Sequence, residues 1–189
     1  MANFVLISGS PRVKGNTAFV LNDMANTIKE AGGDVQIFSL AGKNIGACRA
    51  CNSCKSTGKC AINDGINEIA EVIKEADGLV VGSPVYFGTA RGDIMNFLQR
   101  LGMLNFANNR FLDNKVGGPV VVGRRGGHTA TIQEMLMFFL INGMIVPGAN
   151  YWNIGFGLGT GEVAQDEEGM ANFRIFAAKL NSVADKVKN

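Results

Sequence analysis

Asn3-Phe4-Val5-Leu6-Ile7-Ser8-Gly9-Ser10-Pro11-Arg12-Val13-Lys14-Gly15-Asn16-Thr17 joins a short apolar run to a turn punctuated by two glycines and a proline, and then to the start of a helical pattern. The helix is expected from about Thr17 to Ala31, with Val20, Met24 and Ile28 on one face and Gly32-Gly33 ending it. A second β-branched run, Asp34 to Leu40, follows at once. Strand, helix, strand in this order is the unit that builds a right-handed crossover between parallel strands.

The same alternation continues along the chain. A third strand is expected over Gly78 to Gly82, followed by a helix carrying Ile94, Phe97, Leu98 and Leu101. A fourth strand is expected over Gly118 to Val122, with a helix from about Thr129 to Asn142 after it. A short fifth strand is placed between Met144 and Ile154, and a last helix carries Phe173, Ala177, Leu180, Ala184 and Val187. The fold class is therefore α/β, a three-layer doubly wound five-stranded parallel sheet of order 2-1-3-4-5, whose ligands sit beyond the carboxyl ends of the strands. One stretch departs from the alternation. From about residue 42 to 63 the chain is rich in glycine and cysteine, an insertion after strand two, before helical spacing returns at Ile66, Ile69, Ala70 and Ile73.

Composition sets outer bounds. A chain of 189 residues that is 47% hydrophobic can build one sizeable core, so residues 1–189 are read as a single domain. Its 18 basic and 16 acidic residues are scattered, which leaves no electrostatic footprint for nucleic acid or an anionic membrane. The apolar run Phe4 to Ile7 is too short for a signal peptide, and no stretch approaches the ~20 apolar residues a bilayer span needs. A cytoplasmic location is the expectation, and there four close cysteines suit metal better than disulfides.

The loop Gly9 to Thr17 lacks both the dinucleotide-binding glycine spacing and the P-loop lysine. What remains suits one terminal phosphate: Ser10, Asn16 and Thr17 offer side-chain donors, Arg12 and Lys14 add positive charge, and a helix N-terminus follows. An ordinary turn with Asn16 or Thr17 as the helix cap is the competing reading. The loop after strand three holds Pro84, Val85, Tyr86, Phe87, Gly88 and Thr89, able to give a planar ring a flat apolar wall, unless the aromatics simply cap the core. The loop after strand four carries Arg124, Gly126 and Gly127, where positive charge could stabilise an anionic ring or merely face solvent. His128, the one histidine, reads as a helix-start or surface residue, and no catalytic side chain is assigned.

The motifs Gly9-Ser10-Pro11-Arg12 with Gly15-Asn16-Thr17, and Ser83-Pro84-Val85-Tyr86-Phe87-Gly88, resemble the NADPH-dependent FMN reductase group of flavodoxin-like proteins. That resemblance implies FMN, with its phosphate at the first loop and its ring held by the other two.

Cys48, Cys51, Cys54 and Cys60 form a C-x2-C-x2-C-x5-C array. Two successive two-residue gaps let one loop wrap a cubane, whereas a zinc site more often splits its ligands into separated pairs. A zinc knuckle, free thiols and a redox disulfide stay open as alternatives. Arg49, Lys55 and Lys59 could offset the thiolate charge. With the fold, the array resembles the iron-sulfur flavoprotein family, which implies a 4Fe-4S cluster on all four cysteines and electron transfer with reduced ferredoxin as donor. NAD(P)H is the other candidate donor; quinones, oxygen species or a protein are candidate acceptors. Two rival functions are an NAD(P)H-dependent FMN or quinone reductase with a structural cysteine loop, holding zinc or free thiols, and a zinc-stabilised binding module without flavin. The unbroken run Met135 to Ile141 is apolar all round, so its outer face is expected to meet a partner. The resemblance points the same way, to a homodimer or homotetramer.

Overall fold

The computed structural model describes residues 1–188. Five parallel strands make the sheet: β1 (Asn3–Ser8), β2 (Asp34–Ser39), β3 (Gly78–Tyr86), β5 (Val116–Gly123) and β6 (Ile154–Phe156); β4 (Thr89–Ala90) is a two-residue antiparallel addition to β3. The order is β2-β1-β3-β5-β6, which is the expected doubly wound order once β4 is set aside. All eight residues of β5 are buried, as a strand covered on both faces requires.

Alternating residues of β1 feed two cores. Phe4 and Leu6 pack with Val20, Met24 and Ile28 of α1 (Asn16–Glu30) and with Phe173, Phe176 and Leu180 of α6 (Glu167–Lys188). On the other face Val5 and Ile7 join Ile69 and Ile73 of α3 (Ile66–Glu75), Phe97 and Leu101 of α4 (Gly92–Ala107), and Met135 and Phe139 of α5 (His128–Ile141). The insertion holds one short helix, α2 (Ser53–Thr57), and a 3-10 turn over Glu162–Gln165 precedes α6. Among the described residues no helix is long and apolar enough to cross a membrane.

Two strand bounds are corrected, and two residues are placed more closely. Strand three runs past Gly82 to Tyr86, because Pro84 occupies the last rung against β5, where a missing N–H weakens the ladder least. The fifth strand begins only at Ile154. Ile145 forms a single bridge to Val116, then Pro147-Gly148 breaks the pairing until Val121 N–H donates to the Asn153 carbonyl. Val187 lies on α6 as expected, exposed near its end. His128 does open α5 but is buried, with Nε2 3.1 Å from the Gly155 carbonyl and its ring against Phe156.

Candidate functional site

The loops after β1, β3, β5 and β6 gather at one edge of the sheet and enclose a cleft of about 180 Å³. Of the residues singled out in the sequence, Ser10, Arg12, Asn16, Thr17, Pro84, Val85, Tyr86 and Arg124 line it. Lys14, Phe87, Gly88, Thr89, Gly126 and Gly127 lie outside that lining.

The first loop closes on itself. Ser10 is buried and its Oγ accepts the Arg12 N–H at 3.1 Å, while Gly15 N–H donates to the Arg12 carbonyl. A Cβ at Gly15 would lie 2.6 Å from Ser10 Oγ, so any other residue there would force this turn to shift. Gly15 is also the N-cap of α1, so neither Asn16 nor Thr17 takes that role, and no side chain caps the helix. Its first-turn amides are thereby left facing the cleft end of the helix dipole, the arrangement that receives an anion.

Asn16 is committed elsewhere. Its Nδ2 donates to the Gly159 carbonyl at 2.9 Å and its Oδ1 accepts the Gly161 N–H at 2.7 Å, tying α1 to the loop after β6. Glu162 steadies the same loop by accepting the Leu158 N–H at 2.9 Å. The amides of Gly159 and Leu158 hold the Glu162 carboxyl below its usual range. Gly157 and Leu158 of this loop form a wall of the cleft that the sequence reading did not include. The signal available was the glycine run Gly155, Gly157, Gly159 and Gly161.

Phe87 and Gly88 form the tip of the β3–β4 hairpin, both with left-handed backbone, φ 50° and 86°. The Phe87 ring is fully exposed and Tyr86 is 43% exposed, so neither aromatic seals the core. The hairpin is fixed from α5, where Glu134 accepts from Thr89 Oγ1 and from the Ala90 N–H at 3.0 Å. Arg91 joins two walls: its N–H donates to Ser83 Oγ at 3.1 Å and its Nη1 to the Gly9 carbonyl at 3.2 Å.

The cysteine segment folds beside α4. Cys48, Cys51, Cys54 and Cys60 all line one cavity together with Arg100, Met103 and Leu104. Two residues other than glycine, Ala50 and Asn52, take left-handed φ of 52° and 57°, which curls the chain between Cys48 and Cys54. All four thiols are free, and among the described residues no three His, Cys, Asp or Glu side chains are grouped so as to hold a single metal ion.

One face of α4 and its C-cap grip this segment. Asn96 Nδ2 donates to the Ile45 carbonyl at 2.9 Å, and Asn108 Nδ2 to the Gly58 carbonyl at 3.0 Å. Between them Arg100, 1% exposed, donates to Cys60 Sγ from Nε at 3.3 Å and from Nη2 at 3.1 Å. The same guanidinium pairs with Asp64 and donates to the carbonyls of Gly46 and Ile62. Burial opposes both charges. The Arg100–Asp64 pairing outweighs it, with the Gly46 and Ile66 amides helping Asp64 and Cys60 helping Arg100, so Asp64 stays below its usual range and Arg100 above its own. Arg49, Lys55 and Lys59, the charges assigned to this role from sequence, are exposed.

The family model for NADPH-dependent FMN reductase matches residues 2–159. An iron-sulfur flavoprotein of Methanocaldococcus jannaschii is 41% identical over 96% of this chain and 97% of its own length. Another, of Methanosarcina thermophila, is 33% identical over 96% of this chain and 95% of its own. Among solved structures, RosB with a bound intermediate superposes with TM-score 0.79 at 18% identity, over 100% of this chain and 81% of that one. A WrbA-like flavodoxin of Agrobacterium tumefaciens gives 0.66 at 16% identity, over 98% of this chain and 99% of that one. At these identities the structural likenesses speak to the fold.

Proposed function

The chain belongs to the iron-sulfur flavoproteins of the NADPH-dependent FMN reductase family, flavin-dependent oxidoreductases that transfer electrons, and from that premise we propose how its own residues divide the work. FMN lies in the cleft at the sheet edge, and a 4Fe-4S cluster sits on Cys48, Cys51, Cys54 and Cys60. FMN, when bound, exchanges electrons singly or in pairs, and the cluster supplies one-electron steps.

The uncapped start of α1 carries the flavin half of the reading. Its amides, the Gly15 turn and the Arg12 charge suit one terminal phosphate. Tyr86, Pro84 and Val85 on one side and Gly157 and Leu158 on the other provide apolar walls for a ring, and Arg124 adds positive charge. Asn16, Glu162, Glu134 and Arg91 hold these walls in place. For the cluster, the support is the donor set itself: four thiols around a common cavity, one of them bonded to a buried cation.

Anaerobically purified protein should release FMN on denaturation and contain about four irons and four sulfides per chain. Recovery of FAD would overturn the flavin assignment, and stoichiometric zinc without iron would overturn the cluster. Cys51→Ala should lose the iron while keeping FMN, since Cys51 lies outside the flavin cleft. The electron donor is reduced ferredoxin or NAD(P)H, and steady-state reduction with each discriminates them. The working unit is a homodimer or homotetramer, a reading supported by Met137, Leu140 and Ile141, which α5 leaves exposed. Light scattering that finds a monomer at micromolar concentration would remove it.

A further inference from the structure

The geometry points to Arg100 as the residue that sets the reduction potential at the cysteine site, with Asp64 as the counter-charge that limits its effect. This inference rests on the cluster reading. Its basis is the arrangement of one buried guanidinium: two of its nitrogens donate to Cys60 Sγ at 3.1 and 3.3 Å, and it is paired with Asp64. An arginine stays protonated at any working pH, and a buried charge acts with little screening by water. Hydrogen bonds to a cluster sulfur and the net charge around it are the levers by which a protein moves such a potential.

The sign follows from charge. Reduction by one electron adds one negative charge at the site and breaks no bond, and a fixed positive charge in contact with a ligand sulfur stabilises the more negative state. Arg100 therefore raises the potential. Asp64 opposes that effect by neutralising part of the guanidinium charge. Removing the two side chains one at a time should move the potential in opposite directions, and this separates tuning from mere support: loosening a scaffold would not give opposite signs.

The test uses anaerobic holo-protein titrated with dithionite, its visible spectrum followed against potential, for wild type, Arg100→Gln, Arg100→Lys and Asp64→Asn. Arg100→Gln should disfavour reduction at least tenfold, which is 59 mV downward for a one-electron couple. Arg100→Lys, which keeps the charge, should fall between it and wild type, and Asp64→Asn should shift upward. Wild-type protein that binds no iron would overturn the cluster reading and this inference with it. Iron bound in all four proteins with equal potentials would overturn this inference alone. Should Arg100→Gln not retain the cluster, Asp64→Asn carries the test: a potential at or below wild type overturns the proposal.

Discussion

Replacing Asn16 by alanine should damage flavin binding through the loop after β6 and not through the phosphate. The side chain makes two hydrogen bonds to residues more than 140 positions away, one given to Gly159 and one received from Gly161. A neutral hydrogen bond contributes about 0.5–1.5 kcal/mol net, so the pair is worth about 1–3 kcal/mol, and partial access of water places the expected loss near 2 kcal/mol. For a chain of this size each kcal/mol moves Tm by about 2–4 °C, so a drop of about 4–8 °C is expected for Asn16→Ala. Since Gly157 and Leu158 line the cleft, the released loop must be re-ordered when FMN binds. If most of that cost falls on binding, affinity weakens about tenfold, the equivalent of 1.4 kcal/mol. Differential scanning calorimetry of the apo-protein and fluorescence titration with FMN measure the two effects. Thr160→Ala, on the same loop but exposed, should change neither. Asn16→Ala that loses FMN affinity at unchanged Tm would refute the reasoning, because the side chain would then be acting on the ligand directly.

Gly15→Ala should weaken FMN binding strongly, since the new methyl would lie 2.6 Å from Ser10 Oγ; combining it with Ser10→Ala should restore part of the affinity if that clash is the cause. The Glu162 carboxyl, lowered by the Gly159 and Leu158 amides, stabilises the fold above the ordinary carboxylate range and loses that contribution as pH falls through its lowered value. Wild type should thus be more stable than Glu162→Ala at neutral pH, and thermal melts of the two should converge in acid; a constant difference would count against the carboxylate. Phe139→Ala, at a fully buried position in the core under α5, should cost about 3–5 kcal/mol in denaturant unfolding.

The strands were legible wherever a short apolar run ended in a glycine-containing loop, as at Phe4–Ile7 and Val120–Val122, and the helices wherever spacing repeated, as at Ile66, Ile69 and Ile73. Ends were less so, because they depend on pairing: Pro84 reads as a stop in the sequence and is a tolerated last rung in the sheet. The loop residues that line the cleft were singled out because the topology names those loops. Gly157 and Leu158 were missed because only the loops after strands one, three and four were read as ligand loops, and the loop after the fifth strand was left out. Arg100 was missed for a different reason. A lone arginine among Phe97, Leu98 and Leu101 reads as a solvent-facing helix position, and only the docking of a segment 40 residues earlier turns that position inward.

The grip of α4 on the cysteine segment also bears on how such a chain can change over generations. Each residue of a helix turns the next by about 100°. One codon gained or lost between Arg91, which bonds Gly9 and Ser83, and Arg100, which meets Cys60, would rotate the guanidinium away from the sulfur in a single event. Lys55 and Ser56 of the short helix α2 are exposed, and chain length tolerates change more readily there. Length variation among descendants of this sequence should therefore accumulate between the cysteines and be purged from the first half of α4.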